Sequence, residues 1–128
     1  MDDEDQIRLT LALHGQRLDA GDADGYTALY TEDGQFTSAA ETHSGRAAIR
    51  QFIGDLFARR TPDKRSKHLF GNSVITIVGD VAEAVTDVSI SQRVGEEPWT
   101  MGIVNRHFDR LVRSGERWLF AEKRVVRR

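Results

Sequence analysis

The sequence contains no cysteine among its 128 residues. This absence excludes disulfides, thiolate metal ligands and a cysteine nucleophile together. Any catalysis by side chains must therefore come from histidine, aspartate, glutamate, tyrosine or arginine. No two histidines have the i, i+4 or HxH spacing of metal sites that can be recognised in a sequence. We therefore expect no bound metal and no cofactor.

An excess of charge of one sign is also missing, because 18 basic and 20 acidic side chains give a net charge of −2. This balance offers no basic field for nucleic acid or for an anionic membrane. No apolar run approaches the roughly 18 residues that span a bilayer. The acidic start MDDEDQ is the opposite of the basic beginning of a signal peptide. We expect a cytoplasmic protein that binds neither nucleic acid nor membrane.

The composition is that of an ordinary globular protein, with 39% hydrophobic and 30% charged residues. A chain of this length is expected to form a single domain over residues 1–128. Such a domain buries about two thirds of its unfolded surface and has room for a small pocket. No internal repeat, low-complexity segment or linker divides it.

Helical patterns occupy the first half of the chain. Acidic residues at 2–5 suit a helix N-terminus, and a stripe at helical spacing predicts a first helix that runs to about residue 20. Asp22 can cap a short second helix that contains Tyr26 and Tyr30. A third helix begins at Ser44 or Gly45 and ends near residue 59. The first and third helices carry the apolar positions Ile7, Leu11, Leu18, Ile49, Phe52, Ile53, Leu56 and Phe57.

Strand patterns fill the second half. After a short strand at GQFTSA, residues 34–39, long strand-like segments are joined by short turns, which predicts an antiparallel meander. These segments cover residues 68–78, 81–94, 99–113 and 117–126. Helices followed by strands favour an α+β fold, in which a cone-shaped, strongly curved antiparallel sheet is covered on one face by three N-terminal helices. Residues that point into the cone would line any site.

Four phrases, LDAGDADGYTALYTEDGQF, GRAAIRQFI, KHLFGNSVITIVGDVAEA and HFDRLVRSGERWLFAEKRV, cover nearly the whole chain. Their order and spacing resemble the SnoaL-like group of the nuclear transport factor 2-like superfamily. That group includes polyketide cyclases, scytalone dehydratase and hexachlorocyclohexane dehydrochlorinase. The resemblance implies the cone fold, whereas its members range from isomerases, dehydratases, hydrolases and cyclases to proteins without chemistry.

The resemblance also points to particular residues. Asp19, in RLDAGD, matches the aspartate that ends the first helix of the dehydratase and dehydrochlorinase branch, and His68, in HLFGN, matches its strand histidine. In those relatives the histidine is the base and the aspartate orients it. His14 stands where several dehydratase-like relatives have a tyrosine, and Asn105 lies near a polar position of the scytalone dehydratase pocket. The strand SISQRV departs from scytalone dehydratase, since serines and Gln92 stand where that enzyme has a second histidine.

Asp19 also stands out by physical reasoning alone. A carboxylate in the last turn of a helix faces the negative end of the helix dipole, at a cost of roughly a few tenths of a kcal/mol. Helix stability therefore does not explain this residue. It either serves a cavity or is an exposed residue that starts the following turn.

His68 has two interpretations. In a regular strand it shares its face with Phe70, Asn72 and Val74, an environment that suits a core histidine bonded to a carbonyl. Alternatively, a carboxylate such as that of Asp19 fixes its tautomer and raises its basicity, as in an oriented imidazole base.

The other polar candidates are less defined. His14 lies on the apolar stripe of the first helix, either as a polar pocket residue or as a satisfied core residue, and we include it with Asp19 and His68 among the catalytic candidates. Which face of the strand at 99–113 points inward stays open. His43, in AAETHSG, is expected to be a solvated loop residue. The candidates for substrate contact are Tyr26, Phe52, Phe70, Asn105 and His107.

The resulting hypothesis is a cofactor-independent lyase of the dehydratase type, or an isomerase or cyclase. It would act on a small, largely apolar organic substrate by His–Asp general acid and base catalysis. The alternative is a non-catalytic module of the same fold that binds a small ligand or dimerises. An accessory subunit like the small subunit of ring-hydroxylating dioxygenases is a third possibility. The resemblance further implies a homodimer formed through the outer face of the sheet.

Overall fold

Three helices cover one face of a six-stranded sheet in the computed structural model, which describes residues 1–128. The strand order in the sheet is β2-β1-β6-β5-β4-β3. The predicted α+β architecture is confirmed. The elements are α1 (Asp3–Ala20), α2 (Ala23–Thr27), β1 (Tyr30–Ser38), β2 (Glu41–Ser44), α3 (Arg46–Ala58), β3 (Lys64–Val78), β4 (Val81–Val94), β5 (Thr100–Ser114) and β6 (Arg117–Arg127).

Local sequence signals begin α1 and α2 and end α1 as predicted, whereas α2 ends at Thr27, before the predicted Tyr30. The Asp2 side chain accepts a hydrogen bond of 2.8 Å from the N–H of Asp5 and begins α1, and Asp22 caps α2 in the same way through the N–H of Gly25. α1 ends at Gly21, whose φ of 73° is left-handed and costs a glycine little. The chain thus reverses directly after Asp19 and leaves that side chain at the end of the helix. None of the helices is both long and apolar enough to cross a membrane.

The sheet differs from the prediction in its first two strands. β3 to β6 form the expected antiparallel meander, but β1 pairs in parallel with β6, so the sheet is mixed rather than antiparallel throughout. β1 begins at Tyr30, which pairs with Phe120 instead of belonging to the second helix. β2 was not predicted, because its turn from β1 is made by Ala39 and Ala40 in left-handed conformations, and alanine is not a turn signal.

A β-bulge in β3 changes which residues face inward. The register to β4 shifts between Gly71 and Val74, and Asn72 has a φ of 53°. Because the shift adds a residue on one strand, Val74 turns outward and is 67% exposed, whereas Ile75 packs against the core. The row that a regular strand would place on the face of His68, through Asn72 and Val74, therefore does not continue beyond the bulge.

The core closes one end of the cone. Tyr30, Ile49, Trp118 and Phe120 are almost fully buried where α1 and α3 cover β1 and β6. The opposite end, formed by β3, β4 and the first part of β5, has no such filling, and the candidate site lies there.

Candidate active site

Asp19 and His68 meet at the open end of the cone. Asp19 Oδ1 lies 2.6 Å from His68 Nδ1, and the backbone N–H of His68 donates to both carboxylate oxygens at 3.1 and 3.0 Å. The two side chains are only 18% and 14% exposed. Since one strand residue makes all three contacts, the carboxylate cannot turn away without losing them together.

These contacts define the state of the imidazole. An ionised carboxylate only accepts hydrogen bonds, so the proton lies on Nδ1, and the neutral ring has its lone pair on Nε2. Nε2 has no hydrogen-bond partner and is not among the buried polar atoms that lack one. It therefore faces open space, as a base that receives a proton from a ligand must do.

Arg60 offsets the unfavourable position of Asp19 at the end of α1. Its guanidinium donates to the backbone carbonyls of Leu18 at 2.7 Å and of Asp19 at 3.3 Å, where the helix dipole is negative. Burial lowers the pKa of Arg60, and the charge of Asp19 opposes this shift. Nothing in the sequence indicates this contact, which joins residues about 40 positions apart.

A cavity of about 380 Å³ opens beside His68. Its apolar wall is formed by Leu18, Leu56, Ile90 and Ile103, and its polar lining by Arg59, Arg60, Thr61, Lys64, Ser66, His68 and Gln92. The volume lies within the range of small-molecule sites. Of the predicted site residues, only His68 lines this cavity directly. Ser66 lies two residues before His68 on β3 and therefore on the same face, and Gln92 pairs with Ser66 across β3 and β4. This alternation is the sequence signal that could have identified both residues.

A second polar cluster is fully enclosed in the cone. Lys123 Nζ lies 2.8 Å from Asp109 Oδ1 and 3.1 Å from His107 Nδ1, and the Lys123 and Asp109 side chains have no exposed surface. Burial raises the pKa of Asp109 and lowers that of Lys123, and each charge opposes the shift of the other. Burial, and then the positive charge of Lys123, lowers the pKa of His107 to about 2. His107 is therefore neutral and accepts from Lys123 at Nδ1, which puts its proton on Nε2.

His14 belongs to a third polar group. Its Nε2 lies 3.1 Å from the hydroxyl of Tyr26, which in turn lies 2.8 Å from the hydroxyl of Tyr30. Burial is the main cause that lowers the pKa of His14 and raises the pKa values of both tyrosines, so all three are neutral. His14 Nδ1 is buried without a partner. The ring packs on Phe70 and does not line the cavity beside His68.

Of the remaining predicted contact residues, Phe70 packs against His14 and His107, whereas Asn105 and Phe52 lie elsewhere. Phe70 lines a groove between α1 and β3 on the other side of His68. Asn105 lines a different opening, next to the ends of β1 and β6. Phe52 packs against Phe36 and stacks on His43 at 4.2 Å, because that side of α3 faces the β1–β2 hairpin. His43 lies in β2 with its side chain 17% exposed, so its prediction as a solvated loop residue was wrong.

The structure decides the face of β5 that sequence analysis left open. His107 and Asp109 are buried on the inner face, and Ile103 on the same side reaches the cavity. No three His, Asp or Glu side chains come together in the arrangement of a metal site.

Known proteins include relatives that are similar to this chain in sequence or in fold. The profile of a family described as SnoaL-like domain matches residues 1–124. No match was found among curated proteins.

Three solved structures have a very similar fold. ActVI-ORFA from Streptomyces coelicolor is 21% identical with a TM-score of 0.86, over 97% of this chain and 96% of that chain. A provisionally assigned scytalone dehydratase from Novosphingobium aromaticivorans is 19% identical with a TM-score of 0.84, over 98% and 83%. A protein from Catenulispora acidiphila in complex with S-DNPA is 22% identical with a TM-score of 0.84, over 97% and 92%.

Proposed function

The chain belongs to the SnoaL-like family, and from this premise we propose that it is a cofactor-independent enzyme with His68 as its general base. The reaction is an elimination of the dehydratase type, an isomerisation or a ring closure. The substrate is a small, largely apolar organic molecule that binds in the cavity beside His68. The structural likeness to a provisionally assigned scytalone dehydratase supports the first of these reaction types.

One observation carries the proposal. The imidazole of His68 is held by a carboxylate at 2.6 Å on one nitrogen, its other nitrogen is neither hydrogen-bonded nor buried, and the residue lines a cavity with one apolar wall. A histidine that only satisfies a core would have both nitrogens engaged or enclosed. The arrangement is that of an oriented base. Such a site is a better indication of function than the fold alone, since one fold serves many functions.

The first chemical step follows from this geometry. A substrate with an acidic C–H next to a carbonyl places that hydrogen near His68 Nε2, which takes the proton. Asp19 stabilises the imidazolium that results, because Nδ1 already donates to its carboxylate. A positioned general base of this kind contributes typically about 10² to 10⁴ in rate.

Stabilisation of the developing oxyanion falls to donors that line the same cavity. The Gln92 amide and the Ser66 hydroxyl are available there. His14, a predicted catalytic residue, and Tyr26 and Asn105, predicted contact residues, do not line the cavity. Tyr26 packs on His14, and His14 in turn packs on Phe70, the neighbour of His68 on the same face of β3.

The proposal is tested by deuterium exchange in a panel of small cyclic ketones and hydroxyketones, followed by NMR in D₂O. Exchange next to the carbonyl reports proton abstraction whatever the later steps are. His68→Ala should reduce enzyme-catalysed exchange by about 10² or more, while circular dichroism stays unchanged. His43→Ala is the matched control, since that histidine lies at the β1–β2 hairpin. Undiminished exchange in His68→Ala would show that His68 is not the base.

A non-catalytic role in ligand binding is the second candidate, and the relative in complex with S-DNPA favours it. The two candidates differ in one measurement, because a binding module would take up a ketone from the panel without exchanging its protons.

We further propose that the protein forms a homodimer through the outer face of its sheet. Leu69 and Val104 are 51% and 41% exposed and lie in one row across β3, β4 and β5, with Ser89 between them. Val74, turned outward by the bulge, extends this apolar area. Exposed apolar side chains in a continuous patch are typical of an interface.

A further inference from the structure

The charges that line the cavity beside His68 are all of one sign. Arg59, Arg60 and Lys64 contribute to the lining, and no Asp or Glu does. Lys64 precedes His68 by four residues on β3 and thus lies on the same side of the strand. Asp63, the nearest acid in the sequence, does not line the cavity.

These cations also lack carboxylates in direct contact, and Asp19 acts on Arg60 only at longer range. None of Arg59, Arg60 and Lys64 takes part in an ion pair with a carboxylate within 4.0 Å. Arg113, in contrast, pairs with both Asp3 and Asp80. A cleft that is lined by unpaired charge of one sign attracts and concentrates ligands of the other sign.

Arg60 places this charge next to the reactive pair. Two of its N–H groups donate hydrogen bonds to the carbonyls of Leu18 and Asp19. A guanidinium has five N–H donors, so others remain for a ligand. The hydrogen bonds to α1 hold the group in one orientation, as recognition of a planar anion requires.

The opposite wall of the cavity is apolar. Leu18, Leu56, Ile90 and Ile103 offer contacts for a hydrocarbon body, and the cavity volume of about 380 Å³ limits the size of that body. We propose that the ligand of this site is a small organic carboxylate, with its apolar body against these four side chains and its carboxylate at Arg59, Arg60 and Lys64. This inference rests on the proposed function and names the substrate class for the same site.

The test uses two probes of nearly the same shape, 2-naphthoate and the neutral 2-naphthamide, with the full chain and isothermal titration calorimetry. We expect the carboxylate to bind at least about tenfold more tightly than the amide in 20 mM salt. The ratio should fall in 0.5 M salt, because screening shortens the range of charge interactions to a few ångströms.

Lys64→Gln and Lys67→Gln form a matched pair of variants. Both remove one positive charge from β3, but Lys67 lies on the other side of the strand and does not line the cavity. Lys64→Gln should weaken naphthoate binding about threefold to tenfold and leave naphthamide binding unchanged, whereas Lys67→Gln should change neither. Arg59→Gln, which removes no hydrogen bond of the fold, should act like Lys64→Gln.

Equal affinity for the two probes, or no binding of either, would overturn the inference, as would equal effects of Lys64→Gln and Lys67→Gln. None of these results bears on His68 as a base, which the exchange experiment tests with neutral ketones. The two proposals can therefore fail separately.

Discussion

Asp19→Asn is expected to change the tautomer of His68, because the Asp19 carboxylate accepts hydrogen bonds from both the ring and the backbone of that residue. In the native protein two oxygens accept from the ring Nδ1–H and from the backbone N–H of His68. An asparagine side chain has a single oxygen and an NH₂ group. Its oxygen can take the place of Oδ1, which accepts from both donors, or the place of Oδ2, which accepts from the backbone N–H alone.

Two orientations of the amide are possible. If its oxygen faces the ring, its NH₂ takes the position of Oδ2, 3.0 Å from the backbone N–H of His68, and two donors face each other. If its oxygen accepts from the backbone, its NH₂ faces Nδ1 and the ring moves its proton to Nε2. In the first orientation the NH₂ group has no acceptor, whereas in the second it donates to Nδ1, a difference worth about 1–3 kcal/mol.

This free-energy difference sets the size of the effect. About 1–3 kcal/mol corresponds to a roughly 5- to 150-fold excess of the Nε2–H tautomer, which has no lone pair directed at the ligand. Catalysed proton exchange should fall by a similar factor from the tautomer alone. Loss of the carboxylate that stabilises the imidazolium reduces it further.

The assay is a long-range ¹H–¹⁵N correlation spectrum of the labelled protein, recorded with the ring neutral. Native His68 should show the Nδ1–H tautomer and Asp19→Asn the Nε2–H tautomer. Asp22→Asn is the control, since asparagine caps a helix as well as aspartate does and Asp22 makes no contact with His68. Retention of the Nδ1–H tautomer in Asp19→Asn would refute the reasoning, whatever the activity.

The fold should lose stability as the pH falls from 7 to 5, because burial holds the pKa of His107 at about 2 and that of His14 well below 6.5, while the unfolded chain takes up protons near 6.5. His107 alone costs about 2 kcal/mol at pH 5, from about 1.36 kcal/mol for each pH unit below 6.5. Burial raises the pKa of Asp109, which acts in the opposite direction. The test therefore compares how the urea midpoint depends on pH in the native protein and in His107→Gln, where we expect the smaller dependence. An equal dependence in both proteins would contradict the prediction. For the homodimer, light scattering on a sizing column should give twice the chain mass for the native protein and the mass of one chain for Val104→Glu. A monomeric native protein would contradict the proposed interface.

The elements that short sequence signals define were predictable. The caps at Asp2, Asp22 and Gly21 set the limits of α1 and α2, and alternation with tight turns set the meander. The approach of Asp19 to His68 was expected from the resemblance together with the cost of an acid at a helix end. In these cases the signal and the structure it specifies lie within a few residues of each other, or the family pattern supplies the long-range pairing.

The features that sequence reasoning missed depend on register or on distant contacts. The bulge between Gly71 and Val74 shifts the inner row by one residue, and a shift of one residue exchanges the two faces of a strand. The contact of Arg60 with the end of α1 depends on the path of the chain between α3 and β3. The pairing of Lys123 with Asp109 follows only once β5 and β6 are in register. None of these has a local sequence signal.

The inner face of the sheet carries two histidines whose surroundings give them opposite properties. His68, on β3, has a carboxylate on Nδ1 and open space at Nε2, so a positive charge on its ring is stabilised by Asp19. His107, on β5, has the ammonium of Lys123 on Nδ1, and burial together with that charge prevents protonation. The second ring can therefore donate a hydrogen bond from Nε2 but cannot act as a base near neutral pH. Since the residue type is the same, the partner on Nδ1 and the degree of burial divide the roles of the two rings. This is the physical reason for assigning proton abstraction to His68 alone.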